Sequence, residues 1–253
     1  MRHTPNIGVA VDLDRIRGRK NMKGMLLGHH KCGTLWTDLV LKNVLGSRFK
    51  SGNDHAYTGS EDLYFHGNGD PVRTKIPSGV KAISIIRDPR DIAVSAYFSH
   101  RYVHGLWDDL KVHREHLNRL NTEDGMCLDI EWSNAMPGID GHPIRIFSGL
   151  EFKPPVVNVR FENLIINPVE VFSGILRDME INFDSKLLVE VLDKYSFSNM
   201  ADGRKHGDRN INSHYRSGKP GEWHEWFTAK VKKCFKRLHE KLPVRLGYEE
   251  GEW

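Results

Sequence analysis

The sequence predicts a single α/β domain: a central, mostly parallel sheet flanked by helices, with a P-loop-like anion loop near its start. Three observations carry that expectation. Short apolar runs alternate with helical patterns along the chain, the mark of a parallel sheet covered by helices. Residues 25–45 read as strand, glycine-containing loop and helix. The third strand, 81–87, runs directly into an Asp-Pro helix start.

Taken in order, residues 1–24 are basic but lack the apolar core of a secretory signal, so they read as an extension before a domain over 25–253. The run MLLGH (25–29) is the first strand, and Leu35, Trp36, Leu39, Val40, Val44 and Leu45 form a helical stripe over 33–45. DLYFH (62–66) and KAISIIR (81–87) are the next strands. Asp88 then caps a helix over 89–102, Pro89 fits its first position, and Asp91 favours its positive end. Residues 103–150 lean helical and suit a substrate wall. PVVNVR (155–160) is a fourth strand, and helices are expected from Asn167-Pro168 and over 185–195. The Gly-rich run 201–222 reads as a mobile loop that orders when Arg216 meets an anion. One long helix, 222–242, closes the chain with a core stripe of Trp223, Trp226, Phe227, Val231, Phe235, Leu238 and Leu242.

Composition narrows the function classes. With 253 residues, 39% hydrophobic and 28% charged, and no apolar run near the roughly 20 residues of a membrane span, the chain reads as soluble and cytoplasmic. The net charge of +4 suits an anionic ligand without requiring one. Cys32, Cys127 and Cys234 are odd in number and widely spaced, which argues against a disulfide framework. His113 and His116 flank Glu115, but no Cys or carboxylate partner stands at a recognised ligand spacing, and the segment reads as a solvated helix face.

The chemistry concentrates in GHHKCGTLW (28–36). Gly28 and Gly33 keep the spacing of a phosphate loop and Thr34 follows, but the lysine, Lys31, sits earlier than in a nucleotide-triphosphate loop. A glycine-rich turn opening a helix aims backbone N–H groups and a positive dipole end at one spot, where an anion belongs. Arg87 ends the strand 81–87 and Ser95 lies two turns into the next helix, so both face the crevice at the carboxyl edge of the sheet. Two anion sites follow, as a nucleotide phosphorylated at two places requires.

At these residues the sequence resembles the 3′-phosphoadenosine 5′-phosphosulfate (PAPS) dependent sulfotransferases of the cytosolic type. Lys31-Cys32-Gly33-Thr34-Leu35-Trp36 is similar to their K-[ST]-G-T-T-W loop, with Leu35 in place of the second threonine. Arg87 to Ser95 resembles their 3′-phosphate segment. Arg216-Ser217-Gly218-Lys219-Pro220-Gly221-Glu222-Trp223, followed by Phe227-Thr228, resembles their R-K-G-x-x-G-[DE]-W … F-T signature, with Ser217 in place of the lysine.

The resemblance implies roles. Lys31, Cys32, Gly33 and Thr34 would hold the phosphosulfate end, with Leu35 in the same loop and Trp36 against the adenine. Arg87, Ser95 and Arg216 would hold the 3′-phosphate with the backbone of Ser217 and Gly218. Phe197 would be the second adenine-stacking residue, and Phe161 opens a segment, Phe161-Glu162-Asn163-Leu164, beside the base. His66 ends a strand 21 residues before Arg87 (87 − 66 = 21) and would be the general base, with Glu61, His29 and His30 as runners-up. Tyr64 stands where the family often has lysine, and Gly67-Asn68 replace Leu-Pro. Lys31 would neutralise the leaving phosphate oxygen. The expectation is sulfuryl transfer from PAPS to a hydroxyl or amine of a small-molecule acceptor, yielding 3′,5′-bisphosphoadenosine (PAP), with no metal required, no nucleic-acid or membrane partner, and a monomer or weak homodimer. The alternatives are a P-loop kinase or NTPase, or a non-enzymatic nucleotide- or nucleic-acid-binding protein.

Overall fold

The computed structural model describes residues 22–52, 60–70, 74–134, 146–147, 150–153 and 155–253. Five strands, β1 (Gly24–Leu27), β2 (Phe49–Gly52), β3 (Leu63–His66), β4 (Lys81–Ile86) and β5 (Val157–Arg160), form one sheet in the order β2-β3-β1-β4-β5. Every pairing is parallel, with Leu27 opposite His66 and Ser84. β1 and β3 are buried along their whole length, which is why they read as unbroken apolar runs. Leu26, Leu63 and Phe65 face the larger core, with α1 (Thr34–Leu45) over it. Met25, Leu27 and Tyr64 face a smaller cluster closed by Ile76, Val80, Phe152 and Val156.

From β1 the chain winds through α1 to β2, and from β4 it leads away to β5, so the strand order reverses between β1 and β4. Open α/β sheets bind ligands at that reversal, beyond the carboxyl ends of the strands. The loop after β1 and the start of α2 (Pro89–Phe98) therefore flank one crevice.

Several expected elements shift. β2 was not anticipated, because FKSG is short and half polar. The helix expected over 89–102 is α-helical only to Phe98, and Ser99–Val103 form a π-helical turn. Residues 103–134 resolve into α3 (Asp108–Arg119) and α4 (Thr122–Asn134), while 135–145 lie outside the described residues. Three further helices follow β5: α5 (Phe161–Ile166), α6 (Pro168–Asp178) and α7 (Ser185–Lys194), with the single turn α8 (Phe197–Met200) behind them.

The single helix expected over 222–242 is instead three: α9 (Trp223–Trp226), α10 (Ala229–His239) and α11 (Leu242–Arg245). Thr228 restarts the chain by capping α10, its hydroxyl accepting from the Val231 N–H, and Pro243 opens α11. The run 201–222 folds as turns around Arg204, whose guanidinium donates to the carbonyls of Asp208, Tyr215 and Arg216.

The cysteine expectation is also corrected. Cys127 on α4 and Cys234 on α10 are joined in a disulfide, their Cα atoms 5.6 Å apart across 107 residues of sequence. The spacing hid the pair because only the packing of α10 against α4 brings the two together. Cys32 is free and buried. Among the described residues no helix is long and apolar enough to cross a membrane.

Candidate active site

The loop after β1 turns sharply at its crest: Lys31 and Gly33 both hold left-handed backbone, at φ 64° and 74°. A Cβ on Gly33 would stand 2.6 Å from the Phe161 ring, so this glycine serves both the turn and the close approach. The Arg87 guanidinium reaches across to donate to the Lys31 carbonyl at 2.9 Å and lies over the Phe161 ring, 4.9 Å from its centroid. Thr34 donates its hydroxyl to the His29 carbonyl at 2.8 Å, which locks the loop and leaves only its lone pairs for other partners.

α2 is fixed by its own first turn. Asp88 accepts from the Arg90 N–H at 2.9 Å, and the next carboxylate, Asp91, accepts from the backbone N–H groups of Gly221 and Trp223 at 2.6 and 2.9 Å. Asp91 thus does more than favour the dipole end of its helix: it docks the carboxyl-terminal loop. In that loop Glu222, 1% exposed, accepts both ends of the Arg216 guanidinium and the Ser217 hydroxyl, the latter at 2.6 Å. Arg209 donates to the same carboxylate at 3.0 Å. Gly218 has φ 62°, and a Cβ there would meet Phe197 at 2.5 Å.

These segments enclose a cavity of about 540 Å³. Lys31, Arg87 and Arg216 line it, with Ser95, which alone on α2 is not buried. Burial first, then Arg87 and Arg216, push the Lys31 ammonium down to about 8. Burial likewise lowers the Arg216 guanidinium, with Arg87 adding to it against Glu222. Cations arranged to repel one another in a shared hollow are complementary to a multiply charged anion. The Arg87 Nε is moreover buried with no hydrogen-bond partner among the described residues.

Aromatic and apolar side chains line the same cavity: Trp36, Phe161 and Phe197, with Ile165, Leu192 and Tyr195. Trp36 is held by its indole N–H on the Tyr195 carbonyl at 2.9 Å, and by its edge contact with Phe172. Phe197 stacks on His206.

Of the residues singled out from sequence, Lys31, Gly33, Thr34, Leu35, Trp36, Arg87, Ser95, Phe161, Phe197, Arg216, Ser217 and Gly218 share this cavity, and Cys32 and His66 do not line it. Cys32 is buried beneath the loop, its thiol pushed up by burial, so it shapes the turn and offers only its backbone. His66 is 4% exposed at the end of β3, while the next two residues, Gly67 and Asn68, reach the cavity wall. Glu61 is buried too. His29 bonds the Ser84 hydroxyl at 2.8 Å, and burial pushes its imidazole down to about 4. His30 lines the cavity.

Sequence reasoning missed His104 and His214, which also line it, and the docking roles of Glu222 and Asp91. The Gly-Glu-Trp string was visible, but its buried carboxylate shows its purpose only with Arg216 in place. His113 is buried rather than on a solvated face, and it bonds the Asp129 carboxylate; no group of ligating residues fit for a metal stands among the described residues.

Comparisons with known proteins bear on the same region. No curated protein sequence matches the chain. Among solved structures, the mouse sulfotransferase SULT7A1 complexed with PAP is similar over 90% of this chain and 85% of its own, at 17% identity and a TM-score of 0.60, which establishes a shared fold. Retinol dehydratase with androsterone and PAP aligns over 92% of this chain and 83% of its own, at 12% identity and a TM-score of 0.46. Residues 73–245 match the sulfotransferase domain, a span that holds the Arg87 and Arg216 segments and more than half of the chain. The protein therefore belongs to the sulfotransferase family.

Proposed function

We propose that this sulfotransferase takes its sulfuryl group from PAPS, delivers it to a hydroxyl or amine of a small organic acceptor, and releases PAP. The observation that carries the reading is the union, in one cavity, of three cations with aromatic side chains: Lys31, Arg87 and Arg216 line it together with Trp36, Phe161 and Phe197. Adenine calls for flat apolar faces, and two separated phosphates call for two separated sets of donors. The unpartnered Arg87 Nε and the tight glycines at 33 and 218 fit that ligand: the first lacks an acceptor, and the others keep Cβ atoms from crowding the loops.

In this reading Arg87, Ser95 and Arg216, with the Ser217 and Gly218 backbone, hold the 3′-phosphate. Lys31 and the N–H groups of the loop at Gly33 and Thr34 hold the phosphosulfate end. Glu222 keeps Arg216 extended along the wall, and Asp91 keeps the whole carboxyl-terminal loop against α2. As the bond from sulfur to the phosphate oxygen breaks, charge grows on that oxygen, and Lys31 neutralises it. Two anions spaced by an adenosine need no bridging divalent ion. The kinase alternative is not favoured by the family match.

Thermal shift tests this arrangement without knowledge of the acceptor. PAP raises the melting temperature well above what adenosine 5′-phosphate achieves at equal concentration, because only PAP engages both anion sites. Equal shifts from the two nucleotides would remove the basis for the reading.

A further inference from the structure

The cavity wall beside Lys31 is built of imidazoles that the proposed function leaves idle. His30 and His104 line it with His214. His30 packs against both His100 and His104, ring centroids 5.5 Å from each. Behind them His100 directs Nδ1 at the Asp129 carboxylate, 2.8 Å away, and the same oxygen bonds His113 Nε2 at 2.9 Å. His100 and Asp129 are essentially fully buried. A buried carboxylate is costly unless its partners are built to hold it. Burial alone would raise the Asp129 carboxyl, but His100 and His113 outweigh it and keep it below its ordinary value.

His104 stands at the exit of the π-helical turn, a feature that recurs at functional sites. Its Nδ1 lies 3.0 Å from the Gly105 carbonyl. A carbonyl only accepts, so Nδ1 carries the proton and Nε2 keeps a lone pair. The turn itself is clamped from α3: the Arg114 guanidinium donates to the carbonyls of His100 and His104 at 2.5 and 2.7 Å. Arg114 of α3 thus holds the backbone of the turn, and Asp129 of α4, itself bonded by His113, holds the His100 imidazole that packs beside His104.

We propose that His104 Nε2 is the base that accepts the acceptor's proton, and that Arg114 and the Asp129–His100 pair are its positioning residues. The inference rests on the sulfuryl-transfer reading and replaces His66, which does not line the cavity, in that role. The acceptor oxygen bonds to sulfur as the bond from sulfur to the phosphate oxygen breaks. The departing electron pair stays on the phosphate oxygen beside Lys31, and the hydroxyl proton passes to Nε2 and from there to water.

The groups facing His104 are Lys31 and His30 from the loop after β1, His100 from its own turn, Arg114 from α3 and His214 from the carboxyl-terminal loop. Burial first, then His100, Lys31 and His214, hold its imidazole below the ordinary value, so it is neutral and able to accept at pH 7. The acid limb of kcat/KM then falls below the ordinary imidazole range near about 6.5.

Nitrogen NMR of the histidine-labelled full chain saturated with PAP tests the assignment without any acceptor, with His104→Gln identifying the signals. The expected result is a neutral His104 protonated at Nδ1; an Nε2–H tautomer overturns the proposal. Turnover of PAPS with unsubstituted phenol, which keeps its hydroxyl proton near pH 7, supplies the second arm. His104→Gln lowers kcat by about 100-fold or more while PAP affinity stays within threefold, loses the acid limb, and His104→Ala regains turnover with added imidazole. Turnover of His104→Gln within threefold of wild type, with PAP still bound, overturns the base assignment alone. Failure of well-folded wild type to bind PAP overturns the functional reading and this inference with it.

Discussion

The depressed Lys31 ammonium makes cofactor affinity a function of pH in a window set by the site itself. In the free protein burial, Arg87 and Arg216 bring this group down to about 8. A bound polyanion reverses the balance and restores the proton, so binding above pH 8 must first protonate Lys31. The sign follows: affinity is full below pH 8 and declines as pH rises through the free-state value. The apparent Kd scales as 1 + 10^(pH − 8), which gives about a tenfold loss between pH 7 and pH 9. The ligand phosphates, whose second pKa lies near about 6, are already mostly ionised at pH 7 and add little to the dependence above it. Calorimetric titration of PAP at constant ionic strength, in buffers of different ionisation enthalpy, reads both quantities. Proton uptake should approach about 0.9 at pH 9, and Lys31→Arg should flatten the dependence. A Kd that changes less than twofold in wild type, or that rises equally in Lys31→Arg, would exclude Lys31 as the group that takes up the proton.

Arg87→Met removes a charged donor from the 3′-phosphate set and should weaken PAP by about 10- to 100-fold, read by calorimetry. The same variant frees the Lys31 carbonyl, so a modest fall in melting temperature accompanies it. Gly33→Ala forces a left-handed alanine whose Cβ stands 2.6 Å from the Phe161 ring, and should cost about 1–3 kcal/mol in denaturant titration. Reducing the Cys127–Cys234 disulfide, which closes a loop across 107 residues, should cost about 4 kcal/mol, seen as a lower denaturation midpoint with dithiothreitol. Cys127→Ala should show no further response to the reductant.

The sheet edge was legible because its signals are local. Glycine spacing around Lys31 and the Asp-Pro start after Arg87 are features of a few consecutive residues, and each mapped onto a strand end beside the same reversal in strand order. β2 left no comparable mark: its four residues alternate too briefly to stand out from a loop. Contacts made only by tertiary packing stayed hidden, as the disulfide between α4 and α10 and the docking of Gly221 and Trp223 on Asp91 illustrate. Where His66 points was not legible either, since a strand-end histidine faces whichever side the pleat dictates, and here it lies buried while its neighbours Gly67 and Asn68 meet the cavity. His104 was unmarked for a related reason: one histidine among 14 acquires meaning only when the turn, Arg114 and His30 surround it.

In the proposed function the cavity of Lys31, Arg87 and Arg216 holds an adenosine carrying two separated phosphates. Calorimetric titration of PAP into the wild-type chain without divalent metal, followed by ATP with magnesium as competitor, tests it most directly. Binding at micromolar or tighter Kd that ATP with magnesium fails to displace is the predicted result. Binding of ATP only with magnesium, and none of PAP, would contradict it.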